Sequence, residues 1–353
     1  MKKPTPYLFR RQARLAILRD GERRRHAERH YVPAQNRFVR PGATLMAPIQ
    51  FDAIRAEGLE VLKFLRAMAH TVLNLKIPVV LDFRRTTIFF PVTTIYLFAE
   101  IDRVVALSEL DKPITIVDPR LRRPREVLKQ IGIHEITGDS CDIIPEREDV
   151  VYWKATKGRD QSGTDLAILE VVAKRVNRDQ AENVQLSGLW RGVSEAVGNS
   201  VEHAYKVPRE DGFQGLENTR WWMFTQLRSG TFTVAVCDLG CGYRKTIAET
   251  LPQKFVLDLA AAFKGTNADA VAILTAMEYG KTSTRLTERG KGSRDALSVL
   301  LKHGHGDLMI VSNTGWVQYT ASGNNPLAET RGSLTIDIRG TIIWWKLPIG
   351  DLK

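Results

Sequence analysis

Apolar residues recur at helical spacing along FDAIRAEGLEVLKFLRAMAHTVLNL, residues 51–75, which predicts a helix. The run IPVVLDF (77–83) is apolar without alternation and predicts a buried strand. A helix around 92–109, a strand PITIVDP (113–119) and a helix RPREVLKQIG (123–132), stopped by Gly132, extend the series. Strands and helices in that order predict a small α/β domain over residues 46–145. The polar run GDSCDIIPERED (138–149) reads as a connector, and VVYWKA (150–155) opens a second unit over 150–353. That unit carries helical stretches at 165–176 and about 183–205, then a strand into a glycine turn, TFTVAVCDLG (231–240). After a long segment to Gly292 come a helix and three strands, DLMIVSN, SLTIDI and TIIWWKLP. Because helices and strands do not alternate here, the pattern predicts a helix-plus-sheet α/β sandwich, not a doubly wound sheet.

Composition adds one asymmetry. Residues 1–40 hold twelve Lys or Arg and three acids, a net +9 of the chain's +11. The basic character is therefore an arm over residues 1–45, suited to nucleic acid, to an acidic protein surface, or to packing on its own body as an amphipathic helix. No apolar run approaches the roughly 20 residues that span a bilayer, and no secretory pattern opens the chain. Three cysteines, Cys141, Cys237 and Cys241, are too few for a disulfide framework and point to a reduced, cytoplasmic setting. No further ligand of suitable type stands near Cys237 and Cys241, so no zinc set is read from them.

The segment EAVGNSVEHAY (195–205) raises the chemical question. On a helix, Val193, Val197, Val201 and Ala204 share one side, and Glu195, Asn199, Glu202 and His203 form a stripe of about 100° on the other. Packing accounts for the apolar side only. An amide oxygen one turn after a carboxylate suits a hard cation such as Mg²⁺ beside a general base. A solvated face of an ordinary amphipathic helix is the alternative. Next, DLGCG (238–242) places Asp238 at a strand end before two glycines. An ionised carboxylate only accepts hydrogen bonds, so it selects an exocyclic amine such as that of adenine. ERGKGS (288–293) sets Gly290 and Gly292 around Lys291 before a helix, where freed amides can hold phosphate, although this is not a P-loop.

These pieces in this order, E-x-x-x-N-x-x-x-H, D-x-G-x-G, G-x-G before a helix, and GT with LP on the last strand, resemble the GHKL, or histidine-kinase-like, ATP-binding domain. NSVEHAY is closest to the anti-sigma-factor serine kinases and stand-alone histidine-kinase-like ATPases, and AILTAMEYGKTSTRLTERGKGS (272–293) looks like their lid. The resemblance covers roughly residues 150–350 and implies a Bergerat-type fold binding ATP and Mg²⁺. It implies Asn199 as the Mg²⁺ ligand, Glu195 as general base, and His203 near phosphate or lid, with packing as the other role for that His. Asp238 would hold the adenine amine in a pocket shaped by Gly240 and Gly242 and supported by Thr341. Gly290 and Gly292 would be the phosphate glycines, and Lys281, Arg285, Arg289 and Lys291 the lid cations. Ser293 departs from the Leu or Gly usual after the second glycine.

The first unit resembles a STAS domain more weakly, through VVLDFRRTTIFFPVTTIYLFAEIDRV and ITIVDPRLRRPREVLKQIGI. The family's D-S-S-G phosphoacceptor turn is replaced by Phe90-Pro91-Val92-Thr93-Thr94, leaving Thr93 and Thr94 as phosphoacceptor or capping hydroxyls. The functional expectation is a Mg-ATP-dependent protein-interaction switch with an unknown protein partner and an open oligomeric state. An active slow ATPase or Ser/Thr kinase is the alternative, and a DNA-associated ATPase using the basic arm is the second. That last type needs a transducer domain after the ATP site, whereas this chain ends at its last strand. His70, in AMAHTVLNL, lacks the H-E-x-x-x-P setting of a phosphoacceptor helix, so a conventional histidine kinase is not expected.

Overall fold

The computed structural model describes residues 42–53, 58–147, 153–160, 186–209, 211, 213, 220–282 and 292–348. Residues 1–41 of the basic arm, the expected helix at 165–176 and residues 283–291 of the expected lid lie outside them, while residues 43–45, expected in the arm, belong to a strand of the first unit. The class is mixed α/β, as the pattern predicts.

The first unit runs β1 (Ala43–Met46), β2 (Gln50–Phe51), α1 (Gly58–Ala69), β3 (Val79–Asp82), β4 (Ile88–Phe89), α2 (Pro91–Leu107), β5 (Ile114–Val117), α3 (Arg122–Gln130) and α4 (Ile133–Thr137). Its parallel sheet has the order β1-β3-β5, and β2 pairs with β4. Parallel neighbours need crossovers, which the helices supply. The expected helix at 51–75 is shorter: Phe51 belongs to a strand, and α1 gives way at His70–Asn74 to a π-helical turn. Thr93 and Thr94 are 1% and 0% exposed, which removes them as phosphoacceptors. Thr93 Oγ1 accepts the Ala53 N–H (2.8 Å), and Thr94 Oγ1 donates to the Phe90 carbonyl (2.8 Å).

The second unit contains β6 (Lys154–Gly158), α5 (Leu186–Glu202), β7 (Trp221–Arg228), β8 (Thr231–Asp238), α6 (Tyr243–Thr250), α7 (Gln253–Ala262), α8 (Ala268–Thr282), α9 (Gly292–His303), β9 (His305–Ser312), β10 (Gly315–Ser322), β11 (Ala328–Ser333) and β12 (Thr341–Pro348). Its seven strands have the order β11-β10-β9-β12-β8-β7-β6, every neighbour antiparallel. SLTIDI is not the strand expected: β11 ends at Ser333, and Leu334 and Ile338 instead donate backbone bonds to Thr314 and Asn313. The start of the segment that resembles a lid lies in a core helix, since Ala272, Ile273, Leu274 and Met277 of α8 are at most 2% exposed.

Period-2 alternation explains how this sheet is covered on both faces. Trp221, Met223, Val234, Val236, Ile343 and Trp345 face a core built with α5, α8 and α9. Their neighbours Trp222, Phe224, Ala235, Cys237 and Ile342 face a second core shared with α2 and the first parallel sheet. One apolar core thus continues across both units. The helix α2 is buried along most of its length, Glu100, Asp102 and Arg103 included, because it is sandwiched between two sheets.

Candidate functional site

The site is built where β8 ends under α5. In register, Asp238 sits opposite Trp221 on one side and Thr341 on the other, and Thr341 sits opposite Ser312. Asp238 is 7% exposed. Its Oδ1 accepts the Gly240 N–H (3.0 Å), the Thr341 backbone also hydrogen-bonds the carboxylate, and Ser200 Oγ lies 3.4 Å from Oδ2. The Ser200 hydroxyl already reaches the Ala196 carbonyl at 2.9 Å. A carboxylate offers about four lone-pair sites, so acceptor capacity remains on Oδ2.

The two glycines are required by close approach. A Cβ on Gly240 would lie 2.2 Å from the Ala204 carbonyl oxygen, and Cys241 N–H donates to that same oxygen at 2.7 Å. Gly242 has φ +77°, and a Cβ there would meet the Asn313 side chain at 2.5 Å. The end of α5 and the turn after β8 are thereby pressed together. Tyr205 adds a clasp: its hydroxyl accepts the Leu239 N–H (3.2 Å) and donates to the Arg220 carbonyl.

Ala196 and Ser200 form the stripe of α5 that meets Asp238, and Glu195 and Asn199 lie one residue, about 100°, around the helix. Both are half-buried at the rim of the contact. Burial, then Asp295 on α9, then Glu202, push the Glu195 carboxyl above its usual range. Burial raises Asp238 from 3.8 to about 6, opposed by the Gly240, Ser200 and Thr341 hydrogen bonds. Tyr243 links the two: burial, then Asp238, then Glu195, raise its phenol.

The structure therefore brings Asp238, Gly240, Gly242 and Thr341 to one point, with Asn199 one residue from Ser200, which meets Asp238 there. His203 lies in the turn beyond α5, with Nε2 3.8 Å from Glu202 and Nδ1 3.2 Å from Lys206 Nζ. Gly292 is the first residue of α9, and Lys281 lies in the last turn of α8. Arg285, Arg289, Gly290 and Lys291 lie outside the described residues. Sequence reasoning missed Ser200, Tyr243, Ser312 and Asn313. Ser200 falls on the apolar stripe of its helix, where a serine is read as core. Tyr243 directly follows DLGCG, so its place was available; its N–H donates to Ser312 Oγ at 2.9 Å.

Asp118, His134 and Cys141 in the first unit also bring possible metal-ligand atoms within 4.8 Å of one another. His134 Nε2 is already 2.9 Å from Asp118, and burial pushes the Cys141 thiol above its usual range, against the weaker opposing pull of the cations Lys129 and Arg125. Those cations oppose a further positive charge. No protein-family model, curated protein or solved structure matches this chain.

Proposed function

We propose that the second unit is a Bergerat-type, histidine-kinase-like Mg-ATP-binding domain, and that the protein is a nucleotide-dependent protein-interaction switch. Its observation is the buried Asp238 carboxylate, fixed by backbone donors at a strand end under a helix whose rim carries Glu195 and Asn199. The antiparallel sheet with α5, α8 and α9 of the same unit on one face is consistent with that fold. The residues fit the group: remaining acceptor capacity on Asp238 suits an adenine amine, and the Asn199 amide oxygen suits a hard cation. Bound Mg²⁺ would neutralise phosphate charge. Gly292, opening α9, places backbone amides at a helix N-terminus where phosphate is favoured. The STAS likeness of the first unit is retained as fold only, without phosphorylation at Thr93 or Thr94.

One observation favours catalysis as the second reading. The raised Glu195 carboxyl has the character of a general base. Glu195→Ala is expected to leave ATP affinity largely intact and lower any turnover about 10²–10⁴-fold. Asn199→Ala is expected to damage Mg²⁺-dependent binding instead. Calorimetry with and without Mg²⁺, beside a phosphate-release assay, checks both; equal loss of binding in the two variants contradicts the division of labour.

Proton linkage gives a separate test. Only ionised Asp238 presents acceptors alone, so ATP affinity should fall as pH drops through about 6. The fall should approach tenfold per pH unit below that point. Titrations from pH 8 to pH 5 with an adenine nucleotide of matched phosphate charge and one lacking the exocyclic amine separate this from phosphate protonation. An identical profile for both contradicts the adenine assignment.

A further inference from the structure

Behind the Asp238–Gly242 turn, on the side of α6, α7 and α8, lies a cavity of about 900 Å³. We infer that it binds a single-chain amphiphilic anion of the fatty-acid carboxylate class.

The helix α7 supplies the apolar wall of the cavity. Its sequence, QKFVLDLAAA, is that of a packed helix, yet none of its residues is buried and Leu257 is 60% exposed. A helix of this composition normally docks one face on a core. Phe255 packs edge-on against Tyr279 of α8 (ring centroids 5.3 Å), while Val256, Ala260 and Phe263, spaced i, i+4, i+7, line the cavity. Ile247 of α6 and Val271 of α8 line it too. The stripe thus faces a half-open cavity, with Ala260 exposed at its mouth.

The charged half lies at the rim. Five basic residues, Arg209, Arg244, Lys245, Lys264 and Arg339, line the cavity with two acids, Asp269 and Asp337. Both acids are engaged. Asp269 Oδ2 accepts from Thr314 N (3.2 Å) and Oγ1 (2.5 Å), and Asp337 Oδ1 accepts from Arg339 N (2.5 Å). Arg209 is committed to Glu100 and Asp211. Arg244 and Lys264 are exposed at the mouth, so the complementary charge is negative.

Size decides among occupants. The volume lies within the roughly 300–1,000 Å³ of small-molecule pockets. A helix about 10–12 Å across would place fewer than about two turns in it, too little for a partner helix to be gripped along its length. A nucleotide would match the cations, but the wall formed by Val256, Ala260 and Phe263 is apolar. The lining side chains Thr275 and Asn313 already donate to the Val271 and Cys241 carbonyls. An alkyl chain along Val256, Phe263 and Val271 with its carboxylate toward Arg244 and Lys264 satisfies both halves.

This inference does not rest on the nucleotide reading. Isothermal titration of the full chain with decanoate below its micelle concentration should show one saturable site. Decanol and butyrate should bind at least tenfold more weakly. Ala260→Trp, which fills the mouth from an exposed position, and the double variant Arg244→Glu/Lys264→Glu should each weaken decanoate at least tenfold while keeping the wild-type melting curve. Asp238→Asn should leave decanoate binding unchanged. Absence of saturable decanoate binding, or binding that survives both cavity variants, overturns the proposal. So does pelleting with phosphatidylcholine–phosphatidylglycerol vesicles without decanoate binding, which would assign the patch to a membrane surface. Loss of ADP binding in Ala260→Trp with no decanoate site in wild type would assign the cavity to nucleotide.

Discussion

Asp238→Asn should make the unliganded protein more stable and its ATP complex weaker. The two effects have one cause. Burial raises the carboxyl from 3.8 to about 6, so the folded state holds its proton more tightly than the unfolded chain. For a raised acid, stability is greatest at low pH and is lost as pH rises from the unfolded value through the folded one. At pH 7 that rise corresponds to roughly 3 kcal/mol against the folded, ionised form. Asparagine removes the charge while its Oδ1 can still accept the Gly240 N–H. Denaturation at pH 7 should therefore show a gain of about 2–3 kcal/mol, shrinking as pH falls through about 6 and vanishing below the unfolded value of 3.8, where the wild-type carboxyl is protonated in both states. ATP affinity should drop ten- to a hundredfold, the equivalent of one charged-acceptor bond at about 1.5–3 kcal/mol. A variant that simply damaged the fold would lose both quantities. Unchanged ATP affinity in a folded Asp238→Asn protein would sink the adenine assignment.

That opposition between stability and binding also shows what the sequence disclosed. Asp238, Gly240, Gly242 and Thr341 were legible because each does something few residue types can do: terminate a strand with a charge, or admit a backbone at 2.2 Å. The strands β3, β5, β8, β9 and β12 were legible as apolar runs. WWMFTQLR of β7 was not, because both of its faces are covered and it shows no alternation. SLTIDI alternates, yet the chain there is crossing from the sheet edge to its centre, and its backbone bonds go to residues 313–314. The helices α6 to α8 were passed over as a long segment. Their apolar residues serve a cavity as well as a core, which blurs the periodicity. Ser200 was hidden for a different reason: a small polar residue on an apolar stripe acquires meaning only when Asp238, 38 positions away, is folded against it.

The charges on α2 are the deepest case of that kind. Glu100, Asp102 and Arg103 sit on a helix that is otherwise uncharged, and nothing local announces their partners. Asp102 is met by Lys157 Nζ (2.5 Å), Arg220 (3.0 Å) and Trp222 Nε1 (3.0 Å), all from the second unit. Glu100 is met by Arg209, which also donates to the Arg339 carbonyl (2.9 Å) just before Gly340 and Thr341. The side chains of Glu100 and Arg209 are 5% and 8% exposed. Burial works to raise Glu100, and Arg209 and Arg103 override it and hold the carboxyl below its usual range. A lowered acid contributes stability above its unfolded pKa and loses it as pH falls through the folded one. Arg209→Met should therefore cost about 3–5 kcal/mol at pH 7, because it leaves a buried carboxylate without its nearest partner. Arg103, 3.5 Å from Glu100, should hold the cost toward the lower end. Adding Glu100→Gln should recover most of the loss, since the orphaned charge, not the missing pair, is the larger penalty. Denaturation of the two single variants and the double variant closes the cycle. A double variant as unstable as Arg209→Met would show that the loss comes from the Arg209 bonds to residues 338 and 339 and not from the charge on Glu100.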